Sequence, residues 1–476
     1  MRITRYRFFA GLTIIFLGVY FSLPFAKRAN KFKYAYGVAY TPISQSGHAQ
    51  ADNLQTTVSH FLQRPHNLIA ASKTGNVALE GSSGWLYYHT SLHFALHDEA
   101  KYLAAVAPIT DFSDQLANRG IQLTVLLIPS KWEIHPEGIG GSTPSAELGA
   151  THAGRKALAD SLEASGVSVI DASYDLLLER ARSPDLALFT KGGTHWTPKG
   201  AETVARSLAP RLRAETKDML SRHPTSQEGT VTFKNFLAGL LHRVEIESYP
   251  ARIVEQVPNN PAAARVMLLG DSFSLPDLDT TRNATPRFCG LPAQLRIELR
   301  EPISWIVIEG ASANGVRLEL AHRLSKAPDL LKKTKEIVWA IGPRSFADNF
   351  EKTPLPREIP TPKPIDSSAP GERRIQGQEV VLLETPDLEA LPSSPYPEAL
   401  ITCRFLSGNQ EFLGSLAGMK AHQPLPIIIS LLPGQRFLID AQPWDSVNEH
   451  TRSIRRIDET QDFRTPHYWI SSIDSL

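Results

Sequence analysis

Cysteine is scarce, since the 476 residues contain only Cys289 and Cys403. So few thiols exclude a small scaffold built on disulfides, and the two positions lack the ligand spacing of a zinc site. The sequence therefore predicts no metal centre, and it shows no signature of an organic cofactor. In an exported chain the two cysteines form one disulfide or remain as two buried thiols, and the sequence leaves both alternatives open.

An excess of charge of either sign is also absent. Lys and Arg number 50 against 49 Asp and Glu, which gives a formal net charge of +1. Without a basic excess we expect no nucleic-acid-binding surface, and a sugar polymer would be recognised by local groups. Hydrophobic residues make up 42% and charged residues 21% of the chain, which is ordinary for a globular protein. The length suits about two or three domains.

One long uncharged run stands near the N-terminus, from Phe8 to Ala26, behind several arginines. Its length is close to the ~20 residues that cross a bilayer. A cleaved signal peptide opens in the same way, but Pro24 and Ala26 would make a weak cleavage site, and a buried helix is a third interpretation. The sequence favours a membrane anchor or signal segment over residues 1–35. We expect the remainder to be periplasmic and anchored to the inner membrane.

Short apolar runs alternate with amphipathic segments along the middle of the chain. The predicted strands are 121–129, 167–171, 265–270, 305–310 and 336–342, and the predicted helices are 146–164, 198–212 and 315–324. Nearly continuous apolar runs are expected for strands covered on both faces. The alternation of strands with helices predicts an α/β fold with a mainly parallel sheet flanked by helices. We assign this domain to residues 36–352.

The C-terminal part of the chain follows a different pattern. Residues 353–372 are rich in proline and lack apolar periodicity, which indicates a stiff linker. In residues 373–476, short strand-like runs are separated by Pro, Gly, Ser and Asn. This pattern predicts a β-rich, sandwich-like accessory domain. Since many β-sandwiches bind glycans, carbohydrate binding is expected there by fold analogy alone.

Two side chains indicate acyl-transfer chemistry. The segment VMLLGDSFS (266–274) places Ser272 just beyond a predicted strand, where open α/β sheets bind their ligands. A serine becomes a nucleophile when a base removes its proton and donors hold the developing oxyanion. His195, just before the helix predicted at 198–212, is the candidate base. Each feature alone is more often structural, but their placement in loops of one predicted sheet favours a catalytic pair.

Several segments in order resemble the SGNH-hydrolase-like proteins of bacterial alginate and exopolysaccharide O-acetylation. They are GWLYY (84–88), LLIPSKWEIHPE (126–137), GTHWTPKGAETVA (193–205), LLGDSFS (268–274) and IVWAIGPRSF (337–346). The resemblance implies an SGNH-hydrolase-like fold, with Ser272 as nucleophile and His195 as general base. Two positions depart from the family pattern, because Gly193 replaces an aspartate and Ala340 replaces a glutamate.

The departure at Gly193 bears on the mechanism. Loss of the carboxylate that orients a catalytic histidine costs ~10⁴-fold in turnover. Three alternatives remain open. A backbone carbonyl orients His195 in a Ser–His dyad, another carboxylate such as Asp185 or Glu309 reaches in, or the site has decayed and now only binds.

Four further residues are candidates for substrate binding, and three of them also have a plainer structural interpretation. Lys131 would contact an anionic sugar, although a lysine at a strand end is often simply exposed. Arg344 would bind a uronate or pair with a carboxylate. Asn314 would donate to an oxyanion or act as a helix N-cap. Trp196, beside the candidate base, is included with them.

The resemblance implies O-acetylation of a secreted polysaccharide through an acetyl-serine intermediate. It also implies a membrane-bound O-acyltransferase as the partner that supplies acetyl groups. Two alternatives stay open from the sequence. A carbohydrate esterase would use the same Ser–His pair with water as acceptor. A non-catalytic polysaccharide-binding or scaffold subunit would need no intact triad.

Overall fold

The computed structural model of the protein describes most of the chain from residue 78 onward. The described residues are 64–65, 67–69, 78–89, 91–92, 99–140, 153–212, 224–255, 264–275, 288–346, 350, 355, 374–386, 388, 398–421, 423–448, 451–452, 454, 456–457 and 465–476. The predicted anchor at 1–35, nearly all of the proline-rich segment and the start of the helix predicted at 146–164 lie outside them. Within these ranges, no helix combines the length and the apolar character needed to cross a membrane.

The described elements, numbered in chain order, have the following bounds. The strands are β1 (Ala78–Glu80), β2 (Leu86–Tyr88), β3 (Gln122–Leu127), β4 (Ser168–Asp171), β5 (Ser226–Lys234), β6 (Ile246–Val254), β7 (Val266–Gly270), β8 (Ile303–Val307), β9 (Glu336–Ile341), β10 (Ile375–Glu384), β11 (Glu398–Ser407), β12 (Gln410–Lys420), β13 (Gln423–Pro424), β14 (Arg436–Pro443), β15 (Arg456–Ile457) and β16 (His467–Ser475). The helices are α1 (Glu99–Ala104), α2 (Val106–Ala117), α3 (Lys131–Ile134), α4 (Ala153–Ala164), α5 (Ala172–Arg182), α6 (Pro198–Leu212), α7 (Phe236–Leu240), α8 (Leu291–Leu299), α9 (Ser312–Lys326) and α10 (Pro426–Ile429).

A parallel sheet of five strands, in the order β4–β3–β9–β7–β8, forms the centre of the α/β domain. Alternate side chains of its strands enter two separate hydrophobic cores. One core packs against α5, α6 and α8, and the other packs against α2, α4 and α9. Both faces are therefore covered, which is why the strands are almost wholly apolar. The predicted α/β architecture is confirmed.

The antiparallel pair β5–β6 lies outside that sheet. We predicted no strands in this region, because β5 and β6 are rich in polar residues. In β6, buried, half-buried and exposed positions are mixed. A hairpin of this kind carries a weak hydrophobic signal in the sequence.

The C-terminal region is β-rich, as predicted, and its strands close on themselves. Strand β12 pairs antiparallel with β11 and parallel with β16, while β14 and β10 complete the circuit from β16 back to β11. The result is a small barrel, where the sequence pattern indicated a sandwich. Short strands specify their own positions better than their pairing partners, so closure could not be inferred from them.

The two cysteines are buried and are not joined by a disulfide. Cys289 belongs to one core of the α/β domain, and Cys403 belongs to the core of the barrel. Of the two alternatives left open by the sequence, the structure shows separate thiols.

Candidate active site

Ser272 lies in a tight turn at the carboxyl end of β7. A short 3-10 turn, Ser272–Ser274, begins there, and the Asp271 carboxylate caps it by accepting a hydrogen bond from the Phe273 backbone N–H at 3.1 Å. Gly270 is required just before the turn, since a Cβ there would lie 2.1 Å from the Ser274 hydroxyl. The turn holds Ser272 at the sheet edge where α/β folds bind ligands.

His195 reaches Ser272 from the loop before α6. Phe189 and Trp196 form an isolated antiparallel bridge, and the Thr190 N–H donates to the His195 carbonyl at 3.0 Å. The His195 Nε2 atom lies 2.7 Å from Ser272 Oγ. The structure thus brings the two predicted residues within hydrogen-bond distance, which is the arrangement a nucleophile and its base require.

The other ring nitrogen of His195 faces a hydroxyl group. Its Nδ1 atom lies 3.4 Å from Thr194 Oγ1, and no carboxylate among the described residues hydrogen-bonds to the imidazole. The Asp271 carboxylate accepts a hydrogen bond from the Phe273 N–H instead. Asp185 is exposed. The ring of Phe273 packs edge-on against the imidazole, with centroids 4.9 Å apart.

The surroundings of His195 disfavour its charged form. Burial, together with the positive charges of Arg344 and Lys131, lowers the pKa of His195 to about 3. The imidazole is therefore neutral at neutral pH and can accept the serine proton. A histidine with such a low pKa is also a weak base, because catalytic bases work best with a pKa near the working pH.

Gly193 lies in a tightly packed part of the loop. A Cβ at this position would lie 2.4 Å from the Thr190 hydroxyl, and the Gly193 carbonyl accepts a hydrogen bond from Lys131 at 2.6 Å. An aspartate at position 193 would thus require Thr190 to move. The second departure from the family pattern, Ala340, is buried in β9.

Lys131 is buried and uses its ammonium group within the protein. The Nζ atom donates to the carbonyls of Thr190, Lys191 and Gly193 at 3.1, 2.8 and 2.6 Å. It lies 5.1 Å from the centre of the Tyr87 ring. The structure gives Lys131 contacts with the loop that carries His195, whereas its predicted role in substrate binding stays a prediction.

The other three predicted binding residues occupy different environments. Arg344 is half-buried, with its guanidinium 5.4 Å from the centre of the Tyr88 ring. Trp196 is fully buried and packs edge-on against Phe273. Asn314 is the third residue of α9, whose N-cap is Ala311, so the N-cap alternative for Asn314 is wrong.

A cleft opens beside the Ser272–His195 pair. Its wall includes Tyr87, Tyr88, Leu92, Trp132, Thr194 and Phe273. Thr194 and Phe273, the chain neighbours of His195 and Ser272, line this cleft, whereas Ser272 itself is fully buried. Much of the cleft lining is aromatic.

Glu247 and Thr194 contribute to this region without having been predicted. The Glu247 carboxylate accepts hydrogen bonds from the N–H groups of Lys191 and Gly192, at 3.0 Å each. It lies on the β5–β6 hairpin, which carried no motif. Thr194 belongs to the Thr-His-Trp segment itself, and its position next to the candidate base was the available signal.

The HPE segment of the sequence forms a structural cluster. His135 Nδ1 lies 2.8 Å from Glu137, while His135 Nε2 accepts from the backbone N–H groups of Leu188 and Phe189 at 3.1 and 3.3 Å. His135 also stacks on Trp85. These bonds hold the chain that enters the His195 loop.

Comparison with known proteins now gives the family. The family described as "SGNH hydrolase-like domain, acetyltransferase AlgX" matches residues 78–342, more than half of the chain. The chain belongs to this AlgX family. The family resemblance predicted from the ordered segments is confirmed.

Individual relatives match over shorter stretches. The probable alginate O-acetylase AlgJ of Pseudomonas aeruginosa is 33% identical over 135 residues, which cover 28% of this chain and 32% of that protein. The same-named protein of Pseudomonas fluorescens is 28% identical over 138 residues, covering 29% of this chain and 33% of the relative. The chain thus matches about a third of the length of these curated relatives. The solved O-acetyltransferase domain of Pseudomonas putida AlgJ is 21% identical, with a TM-score of 0.43, over 56% of this chain and 91% of that domain.

Proposed function

We propose that the protein transfers acetyl groups through Ser272 to hydroxyl groups of a secreted polysaccharide. The observation that carries this proposal is the 2.7 Å distance between Ser272 Oγ and His195 Nε2, beside an aromatic cleft. Membership of a family described as acetyltransferases supports acetyl as the transferred group, and the alginate O-acetylase relatives support a polysaccharide as the acceptor.

The reaction has two steps. Ser272 Oγ attacks the carbonyl carbon of an acetyl donor while His195 Nε2 takes the serine proton, and the leaving group departs with that proton. A sugar hydroxyl then attacks acetyl-Ser272, giving its proton to His195. As the acetyl–serine bond breaks, the proton returns from His195 to Ser272 Oγ. The Ser272 backbone N–H is the first donor proposed for the oxyanion in both steps.

The proposal includes a location and a supply of acetyl groups. The apolar run from Phe8 to Ala26 supports attachment to the inner membrane, with the catalytic domain in the periplasm. The acetyl donor would be loaded by a membrane-bound O-acyltransferase, as the family resemblance suggests.

A second candidate function is a non-catalytic polysaccharide-binding subunit. Two observations favour it: His195 has no carboxylate partner among the described residues, and its pKa is lowered to about 3. The imidazolium that forms during acyl transfer would lie near two positive charges with no carboxylate beside it. An esterase is a third alternative, since it needs the same first step and water as the acceptor.

The test is the acetylation of Ser272. Full-length protein in detergent is incubated with p-nitrophenyl acetate, and peptide mass spectrometry measures the acetyl group on Ser272, with Ser272→Ala and His195→Ala as controls. Acetyl-Ser272 that depends on His195 is the expected result. Alginate oligosaccharides added to the acetylated protein would then acquire acetyl groups if the protein is a transferase, whereas free acetate alone would identify an esterase. Binding of the oligosaccharides without any acetyl-Ser272 would contradict catalysis and leave the binding subunit.

A further inference from the structure

The loop from Thr190 to Gly193 is held by two oppositely charged side chains, one on each side of its backbone. We infer that Lys131, acting with Glu247 through this loop, is a positioning residue that orients His195 in place of the missing aspartate. The inference rests on the proposed function, because it assigns a role in the reaction of the Ser272–His195 pair.

Lys131 holds the carbonyl side of the loop. All three ammonium protons have backbone acceptors, the carbonyls of Thr190, Lys191 and Gly193, at 2.6 to 3.1 Å. Hydrogen bonds from a charged donor are about twice as strong as neutral ones. With 7% of its surface exposed, Lys131 has no ammonium proton left for a substrate, and this favours a supporting role over substrate binding.

Glu247 holds the N–H side of the same loop. Its two carboxylate oxygens accept from the N–H groups of Lys191 and Gly192, one each. The Tyr249 hydroxyl donates to Glu247 and also accepts from the Lys191 N–H. All four residues of the loop, Thr190 to Gly193, are thereby hydrogen-bonded to Lys131, Glu247 or both.

The loop determines the position of His195 because the imidazole has few contacts of its own. The ring is held by the Ser272 hydroxyl, the Phe273 ring and a long contact with Thr194. In a complete triad the carboxylate fixes the histidine directly. Here the backbone on the N-terminal side of His195 is fixed instead, and Gly193 allows it to pass close to Thr190.

The charge of Lys131 gives this inference a pH signature. Burial lowers the pKa of Lys131 to about 7, although the Glu247 charge favours the ammonium form. A neutral amine has two protons, so one of the three hydrogen bonds from Lys131 to backbone carbonyls is lost as the pH rises through this value. The other two weaken because the donor is no longer charged. The acetylation rate of Ser272 should therefore fall above about pH 7.

Three other ionisable groups near Lys131 have pKa values shifted away from this range. Burial lowers the pKa of His135 to about 4 and that of His195 to about 3, and burial raises the pKa of Tyr87 well above 10. The Arg344 guanidinium, which keeps its charge, and the Glu247 side chain also face this region. The Lys191 side chain lies over the same Trp85 ring as that of Lys131.

Global unfolding would not produce this decline. The pKa of Lys131 in the folded protein is about 7, below the 10.5 of an ordinary lysine, so between these values the unfolded chain binds more protons. The Lys131 contribution to the free energy of unfolding therefore rises with pH in this window. A rate that falls there reflects the geometry of the site.

The test compares full-length wild type with Lys131→Met, Lys131→Arg and Glu247→Gln. The first readout is the pH profile of Ser272 acetylation by p-nitrophenyl acetate. The second is hydrogen exchange of the backbone amides in a peptide covering 187–197. Arg265→Met is the matched control, because Arg265 precedes β7, pairs with Glu301 and donates to the Leu212 carbonyl at 2.6 Å, away from the loop.

We expect Lys131→Met to lower kcat by about 10- to 100-fold, the effect of misplacing a reacting group by about 1 Å, with little change in KM. Exchange should rise in the 187–197 peptide alone, Glu247→Gln should act in the same direction, and Lys131→Arg should restore part of the rate without the decline above pH 7. Unchanged exchange in Lys131→Met would overturn the inference, as would a general rise matched by Arg265→Met. If wild type forms no acetyl-Ser272, the proposed function fails, while the exchange data still decide whether Lys131 and Glu247 hold the loop.

Discussion

At the scale of single residues, Thr194 occupies the side of His195 where a triad carboxylate would lie. Its hydroxyl oxygen lies 3.4 Å from Nδ1, so it can accept a hydrogen bond from the Nδ1–H group. Nε2 is then unprotonated and can take the proton of Ser272. A hydroxyl carries no charge, and it cannot stabilise the imidazolium as a carboxylate does. The structure thus provides a means of selecting the tautomer of His195 without a means of stabilising its charge.

Replacement of Thr194 should separate these two effects. Thr194→Val keeps the shape and removes the hydroxyl, so we expect the rate of Ser272 acetylation to fall by about tenfold, the cost of about 1.4 kcal/mol in the barrier. Thr194→Ser keeps the hydroxyl and should stay near the wild-type rate. Stopped-flow measurement of p-nitrophenol release checks both. Equal rates in the Val and Ser variants would show that the hydroxyl plays no part.

Restoring the aspartate should strengthen the base, provided that space is made for it. In Gly193→Asp alone the new Cβ meets the Thr190 hydroxyl at 2.4 Å, so we expect little gain. The double variant Thr190→Ala/Gly193→Asp removes that contact. A carboxylate near His195 should raise the pKa of His195 and increase the rate at which Ser272 is acetylated. The measurement is the pH–rate profile of each variant, with Thr190→Ala as the control. A double variant no faster than Thr190→Ala would show that Gly193 does not limit the reaction.

At the scale of secondary-structure elements, the helices and strands with a clear hydrophobic pattern are the ones that the sequence predicts. Helix α6 was predicted at the bounds it has, 198–212, and the central strands were found within a few residues because both of their faces are apolar. In the β5–β6 hairpin, apolar and polar residues alternate only weakly, so the sequence does not predict its strands. Glu247 lies on that hairpin, so its bonds to the His195 loop could not have been inferred. The Ser272 turn was recognisable because a strand followed by Gly-Asp-Ser is a local pattern, whereas the contacts of Lys131 with residues about 60 positions away depend on the folded chain.

Helix α9 contacts the barrel through a buried ion pair. Glu319 accepts from Arg323 on the same helix at 2.8 Å and pairs with Arg456 of β15 at 3.1 Å. Burial alone would raise the pKa of Glu319, but Arg323 and Arg456 outweigh it and lower the pKa to about 2. The buried Arg456 side chain and the half-buried Arg323 side chain therefore depend on one carboxylate.

Glu319→Gln should consequently destabilise the protein by about 3 kcal/mol, the cost of breaking a buried ion pair. Lys326→Met is the control at the same contact, because Lys326 pairs with Asp445, whose side chain is 64% exposed. That change should cost less than about 1 kcal/mol. Urea unfolding followed by tryptophan fluorescence measures both, and equal losses in the two variants would contradict the assignment of the stabilising contact to Glu319.

At the scale of the whole molecule, buried histidines should set the response to acid. Burial is the largest cause that lowers the pKa of three of them: His135 to about 4, His195 to about 3, and His467 well below its ordinary value of 6.5. They lie in the HPE cluster, in the candidate active site and in the barrel, where His467 Nε2 lies 2.8 Å from the Ser415 hydroxyl. Acid therefore acts on separate parts of the structure at once.

The direction of the effect follows from proton binding. Below pH 6.5 the unfolded chain protonates these histidines while the folded protein keeps them neutral, so the free energy of unfolding falls as the pH falls. Each histidine contributes a slope of up to about 1.4 kcal/mol per pH unit. Between about pH 6.5 and 4.5 this loss is due to histidine, because carboxyl groups with a lowered pKa, such as Glu319, act below that range. Urea unfolding at half-unit pH steps should show that the free energy of unfolding of His135→Gln depends less steeply on pH than that of wild type. A stability independent of pH over this range would contradict the lowered pKa of the buried histidines.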